Sequence, residues 1–317
     1  MRKALVVGID YYKSVSHLHG CVSDAYAVKT VLDRHSDGTK NFDTIIEVAT
    51  GPTALIERKE LKNKVEELFK GDNDIALFYF SGHGYVESTG GYLITSECKN
   101  GDDGFSMNDL LEIANNSNAR NKIIILDCCH AGIMGKNSTK EHKSILSEGL
   151  TILTASSETQ YAIEENGSGV FTTLFVDAMN GSASNLVGDI TPGSIYAHID
   201  QSLGAWEQRP IFKTNVTSFT TLRKIQPPIS LYDLKQLTQL FPVKGQELKL
   251  DPSFEPESEN PNEENVTKFK ILQKYNRINL VIPVNTEHMY YAAMESKSCK
   301  LTILGEHYWN LISKDRI

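Results

Sequence analysis

The sequence predicts an α/β fold: a mostly parallel sheet with helices on both faces, followed by a small, mainly helical C-terminal module. Three observations carry this. Short runs that are apolar throughout alternate with longer segments whose apolar residues recur at helical spacing. Strands of that kind are buried on both faces, and parallel strands need helical crossovers between them. The composition then shifts: residues 251–264 hold six acidic residues, three prolines and no basic residue, whereas 265–317 hold eight Lys or Arg against four Asp or Glu. A chain of 317 residues has room for two domains and a sizeable core.

In chain order, residues 3–9 read as a first buried strand ending near Gly8. A helix follows from about Ser23, with Ala25, Val28, Val31 and Leu32 on one face. Residues 44–48 are the second strand, and 55–69 an amphipathic helix on Leu55, Leu61, Val65 and Leu68. Residues 74–80 form the third strand, and a Gly-rich hairpin runs through Gly90 and Gly91 to Thr95. Residues 106–114 read as a helix with Ser106 as its cap and Asp109 at the third helical position. Residues 122–126 and 150–154 are the fourth and fifth strands. Helices follow over 170–179 and 192–203, and a last short strand over 210–213. The acidic stretch 251–264 has too few apolar residues to pack and reads as a flexible linker.

Composition narrows the function classes. Net charge is −8, with 40% apolar and 23% charged residues, which is ordinary for a soluble globular chain and argues against nucleic-acid binding over the whole surface. No run approaches the ~18 apolar residues of a membrane span. Met1-Arg2-Lys3 leads straight into the first strand, without the makings of a signal peptide. The five cysteines, at 21, 98, 128, 129 and 299, follow no disulfide framework. Reduced thiols in a cytoplasm are the expectation. No CxxC pair or HExxH is present, so zinc is not indicated.

The chemistry gathers at two strand ends. The third strand runs into Ser81-Gly82-His83-Gly84, the fourth into Asp127-Cys128-Cys129-His130-Ala131-Gly132. In parallel sheets, function collects beyond the carboxyl ends of the strands. Adjacent central strands therefore bring a histidine to a cysteine, a pairing suited to acyl transfer: the imidazole lowers the thiol pKa from ~8.5 and later protonates the leaving amine.

The chain resembles the caspase-like cysteine peptidases, in their metacaspase or bacterial caspase-like branch, over about residues 1–222. The residues concerned are Val7-Gly8-Ile9-Asp10-Tyr11-Tyr12, Leu18-His19-Gly20-Cys21 with Asp24-Ala25, the two strand-end motifs, Thr154-Ala155-Ser156-Ser157, Gly169-Val170-Phe171-Thr172 and Gln208-Arg209-Pro210. The family motif Asp-x-Cys-His-x-Gly implies Cys129 as nucleophile, with Cys128 turned away as a small apolar residue. His83 is its partner, and the backbone amides of Gly84 and Cys129 are the expected oxyanion donors. The resemblance further implies an acidic specificity pocket formed by Cys21, Asp24, Ser81 and Asp127, hence cleavage of proteins after Arg, with Lys second; a guanidinium bridges paired carboxylates that otherwise repel.

Many metacaspases bind calcium near the hairpin and the following helix. The acids here are Glu97, Asp102, Asp103 and Asp109; Asn108 replaces one Asp of the family pattern and Cys98 falls near another, so calcium is the alternative expectation while Asp102, Asp103 and Asp109 read first as solvated surface. The polar stretch 133–147 lies where relatives are processed and carries Lys136, Lys140 and Lys143, the expected points of self-cleavage in a triggered zymogen.

The chain divides into a peptidase domain (1–225), a connecting helix (226–250), the linker (251–264) and a module (265–317) that resembles a small winged helix, on Leu301-Thr302-Ile303-Leu304-Gly305. Helices are expected over 229–241, 268–280, 288–294 and 306–313. Lys268, Lys270, Lys274 and Arg277 give one helix a basic face, and an activating protein is the favoured partner over DNA. The competing functions are a catalytically silent adaptor and a DNA-binding regulator.

Overall fold

Each apolar run in the first part of the chain is a strand because it supplies side chains to two cores at once. The computed structural model describes residues 1–129, 131–134, 145–156, 164–165, 168–204 and 209–317. They form two compact units, Met1–Gln226 and Pro227–Ile317. The first begins β1 (Arg2–Ile9), α1 (Cys21–Asp33), β2 (Asp43–Ala49), α2 (Arg58–Phe69), β3 (Ile75–Ser81), β4 (Gly84–Glu87), β5 (Gly90–Leu93), β6 (Phe105–Ser106), α3 (Met107–Asn115) and β7 (Asn121–Asp127). It continues with β8 (Leu150–Thr154), β9 (Glu164–Glu165), β10 (Ser168–Gly169), α4 (Val170–Asp177), β11 (Asp189–Ile190), α5 (Pro192–Ser202), β12 (Ile211–Asn215) and β13 (Arg223–Lys224).

The main sheet has the order β12-β8-β7-β3-β1-β2. It is parallel except for β12, which runs antiparallel to β8. β3 lies inside the sheet and is buried along its whole length. Successive side chains of a strand point to opposite faces. Phe78 and Phe80 of β3, with Ile124 and Leu126 of β7, join one core with Leu61 and Val65 of α2 and Leu110 of α3. Leu77, Tyr79, Ile123 and Ile125 join the other, with Val28 of α1, Phe171 and Phe175 of α4 and Ile195 of α5. Continuing the alternation puts Ser81 and Asp127 on the α1/α4 face, while Cys128 joins the α2/α3 core.

Several boundaries differ from expectation for local reasons. α1 starts two residues early because a distant carboxylate caps it: Asp10 Oδ1 accepts from Cys21 N at 2.9 Å and Val22 N at 3.3 Å. α2 begins only at Arg58, since Glu57 is extended with ψ 150°. The helix expected to reach residue 179 ends at Asp177 and loosens into a wide turn over Ala178–Ser182, where Gly181 takes φ 137°. Ser106 caps α3 as expected, accepting from Asn108 N and Asp109 N at 3.2 and 3.3 Å.

The second unit comprises α6 (Leu231–Lys235), α7 (Leu237–Leu240), β14 (Leu248–Lys249), α8 (Glu263–Arg277), β15 (Val281–Val284), α9 (Met289–Met294), β16 (Ser298–Leu301) and α10 (Ile303–Ser313). Its strands form an antiparallel sheet in the order β14-β16-β15. The helix expected over 229–241 is two short helices meeting at Gln236. It is part of this unit rather than a connector, and Phe241 O accepts from Trp309 Nε1 of α10 at 2.8 Å.

The acidic stretch is not a flexible linker. Asp251 caps a helical turn over Pro252–Phe254, accepting from Ser253 N at 2.9 Å. Phe254 is 6% exposed and packs edge-on against Phe269 of α8, with ring centroids 6.1 Å apart. Asn262 then caps α8, whose first turn takes up Glu263 and Glu264. Acid-rich composition obscured one anchoring aromatic, Phe254, and two capping residues, Asp251 and Asn262. Among the described residues no helix is long and apolar enough to cross a membrane.

Candidate active site

β3 and β7 pair in parallel with Ser81 opposite Asp127, and Gly82 N donates to Asp127 O at 3.3 Å. His83 and Cys129 follow these ends. The two loops touch at Gly84: a Cβ there would lie 2.2 Å from the Cys129 carbonyl oxygen and 3.0 Å from Cys128 Sγ. Only glycine allows that approach. Cys129 is half-buried and Cys128 fully buried. Burial, reinforced by the neighbouring Cys129 and Asp127, pushes the Cys128 thiol well above its ordinary range, which keeps it protonated and inert.

His83 is held at three points. Its backbone N–H donates to Tyr12 Oη at 2.9 Å. Its ring lies 4.8 Å from the Tyr12 ring, tilted by 48°. Its Nε2 lies 2.9 Å from Ser16 O. A carbonyl oxygen only accepts, so Nε2 carries a hydrogen, and Nδ1 is the ring nitrogen left to exchange a proton.

On the α1/α4 face the two acids converge. Asp24 and Asp127 are 2% and 5% exposed, Ser81 2% and Cys21 3%. Asp24 Oδ2 accepts from Ser81 Oγ at 3.3 Å and Gly169 N at 3.1 Å. Among the described residues Asp24 Oδ1 is buried without a hydrogen-bond partner. Asp127 Oδ2 accepts from Thr172 Oγ1 at 2.6 Å, and Thr172 Oγ1 in turn accepts from Tyr79 Oη at 2.5 Å. A Cβ on Gly169 would sit 2.4 Å from Asp127 Oδ2 and 3.2 Å from Asp24 Oδ2, so both carboxylates border one small gap. Burial first, and the Asp127 charge second, push the Asp24 carboxyl up to about 7. Such a pair favours sharing a proton or receiving a cation.

A family model described as the caspase domain of peptidase C14 matches residues 1–224. The chain belongs to the caspase-domain family of cysteine peptidases. Metacaspase-9 of Arabidopsis thaliana is 37% identical to this caspase domain over 91 residues, which are 26% of this chain and 27% of that one. Metacaspase-1 of Cryptococcus neoformans var. neoformans (serotype D, strain JEC21) is 33% identical over 86 residues, 26% of this chain and 19% of that one. The chain thus spans about a quarter or less of the length of these curated relatives. Two solved structures share the fold. Protein GSU0716 of Geobacter sulfurreducens has a TM-score of 0.53 and 14% identity, over 71% of this chain and all of that one. Caspase-1 of Spodoptera frugiperda has a TM-score of 0.51 and 12% identity, over 71% and 91%.

The caspase domain does not gather its calcium candidates. Asp103 Oδ2 accepts from Lys99 N and Asn100 N at 3.1 and 2.9 Å, closing a helical turn. Asp109 faces Lys62 at 3.9 Å, Glu97 Oε1 accepts from Arg58 N at 2.7 Å, and Asp102 is exposed. Among the described residues no three metal-ligating side chains converge. These residues do not fit a calcium ion.

Sequence reasoning missed the residues that hold the site together: Asp10, Tyr12, Ser16, Tyr79, Gly169 and Thr172. Four of them lie inside motifs quoted above, yet nothing in a motif states which side chain reaches which. Lys136, Lys140 and Lys143 lie outside the described residues.

Proposed function

We propose that this protein is a cysteine endopeptidase cleaving after Arg, with Lys second, through Cys129 and His83. The observation that carries this reading is the pair of buried carboxylates, Asp24 and Asp127, around one gap, with Asp24 Oδ1 lacking a hydrogen-bond partner among the described residues. A guanidinium entering there supplies the missing donors and removes the like-charge repulsion. Aspartate in the same place would add a third negative charge.

In the proposed mechanism the Cys129 thiolate attacks the scissile carbonyl. The amides of Gly84 and Cys129 receive the developing oxyanion. The His83 imidazolium, its Nε2–H kept on Ser16 O, protonates the leaving amine from Nδ1. Water, deprotonated by the same nitrogen, then releases the acid and restores the thiol.

The test is a positional peptide library, with and without calcium, run beside Cys129→Ala. Turnover of Arg and Lys peptides, lost in the variant, is the expected result. Faster cutting after Asp would end the pocket assignment, and no turnover under either condition would favour the silent adaptor. Self-cleavage after Lys136, Lys140 or Lys143 belongs to the same proposal: a Cys129→Ala chain still processed when purified alone would assign the cut to another enzyme.

For the second unit we favour a protein partner, such as an activator, over DNA. Lys268 is paired with Glu264 and Lys274 with Asp233, at 2.6 and 2.8 Å, so two of the four basic residues of α8 already have counter-ions. None of the five cysteines is in a disulfide, in keeping with a reducing compartment such as the cytoplasm.

A further inference from the structure

We infer that Tyr12 is a positioning residue for His83, holding the imidazole in the orientation that pairs it with Cys129. This rests on the dyad reading above and goes beyond it by naming what fixes the base.

Tyr12 is a rigid post. It is 1% exposed, and the backbone on either side is pinned: Tyr11 N donates to Ala49 O at 3.1 Å and Lys13 N to Ser96 O at 2.8 Å. From this post the side chain controls two separate features of His83. The phenol oxygen accepts the His83 backbone N–H at 2.9 Å, which sets the peptide plane between Gly82 and His83. The ring covers one side of the imidazole at 4.8 Å, which restricts rotation about the side-chain bonds. Ser16 O, four residues further along the same loop, holds the far tip at Nε2. With peptide, face and tip all fixed, Nδ1 is the one ring position left for the thiol.

The phenol is suited to this role. Burial raises it well above its ordinary range, so it stays neutral and leaves the thiolate–imidazolium charge balance undisturbed. Space for it depends on Gly82, where a Cβ would lie 2.8 Å from Tyr12 Oη. Phenylalanine at position 12 would keep the ring contact and lose the oxygen. The His83 N–H would then lack its acceptor, and the turn carrying the base would be free to shift.

The experiment is alkylation of Cys129 by iodoacetamide, a small neutral probe, followed from pH 5 to 9 by peptide mass spectrometry. Cys21, Cys98, Cys128 and Cys299 are buried, so Cys129 dominates the reaction. In Tyr12→Phe the midpoint should move upward by about one unit, toward the ~8.5 of an unpaired thiol. The kcat on an Arg peptide should fall by about tenfold with KM unchanged, on the order of one lost hydrogen bond. A wild-type midpoint and kcat in folded Tyr12→Phe would overturn the inference. His83→Ala separates this from failure of the dyad: if it too leaves the midpoint unmoved, the thiol does not pair with His83 at all. If it moves the midpoint and Tyr12→Phe does not, only the role of Tyr12 falls. Should Tyr12→Phe fail to fold, Gly82→Ala displaces the phenol from the other side, and the same upward shift is required.

Discussion

Replacing Asp24 by asparagine should make the protein more stable at alkaline pH and poorer at holding a cation. Asp24 is 2% exposed, beside Asp127, with its carboxyl raised from 3.8 to about 7. A folded-state value above the unfolded one means that the native protein keeps a proton the unfolded chain has released. The associated stability is fully present below the unfolded value and is lost as pH rises through the folded one. From pH 5.5 to the folded value is roughly 1.5 units, at ~1.36 kcal/mol each. Wild-type stability should therefore fall by about 2 kcal/mol between pH 5.5 and 8.5 from this group alone. For a unit of this size that is a drop in Tm of about 4–8 °C. Asparagine keeps a carbonyl oxygen for Gly169 N and Ser81 Oγ and carries no titrating proton, so this part of the slope should vanish.

The assay is thermal unfolding at both pH values in a Cys129→Ala background, which removes self-digestion. Alongside it, calorimetric binding of a peptide ending in Arg should strengthen for the parent as pH rises through 7. With Asp24→Asn it should be about 10–100-fold weaker and insensitive to pH, the worth of one charge-assisted contact. If Asp24→Asn melts with the parent's pH slope and binds the peptide as tightly, then Asp24 is neither strained nor part of a cation pocket.

Cys128→Ala should keep kcat/KM within about threefold, since Cys128 lies in the α2/α3 core at 1% exposure, and should lower stability by about 1–2 kcal/mol in denaturant titration. Loss of turnover in the folded variant would make Cys128 the nucleophile instead. Gly84→Ala drives a methyl to 2.2 Å from the Cys129 carbonyl, a backbone atom with nowhere to go; kcat/KM should fall about 100-fold, the scale of an ångström-level misplacement. Wild-type turnover there would mean that the loops have no need of their close approach. Phe254→Ala should weaken the second unit by about 3–5 kcal/mol, read as a lower midpoint in guanidinium for that unit. An unchanged midpoint would return residues 251–264 to the status of a linker.

How much of this was legible in sequence depends on the range of the interaction. Period-two burial is local, so the apolar runs announced β1, β3, β7 and β8, and the same alternation carried past the strand ends accounts for Ser81 and Asp127 sharing a face while Cys128 faces the opposite core. Near caps were legible too, as at Ser106. Contacts that join distant segments were not. The acceptor at the start of α1 is Asp10, eleven residues upstream, and the acceptor for His83 N is Tyr12, seventy-one residues away. Averaging over a window also hid Phe254 among its acidic neighbours.

Those distant contacts converge on one loop. Asp10 caps the helix that carries Asp24, Tyr12 takes the His83 amide, and Ser16 holds the imidazole tip. Leu18 N donates to Asp10 O at 2.9 Å, folding the loop back on itself. Base and pocket therefore hang on the same short piece of backbone rather than on separate supports. Loosening it at Asp10 should disturb more than the pocket: Asp10→Ala uncaps α1, at a cost of about 1 kcal/mol, and frees the turn that presents Ser16 O. A variant that raised KM through Asp24 and left the alkylation profile of Cys129 untouched would show that the two ends of the loop act independently. A shift in both would mean that the register of β1, which delivers residue 10 to α1 and residue 12 to His83, sets specificity and reactivity together.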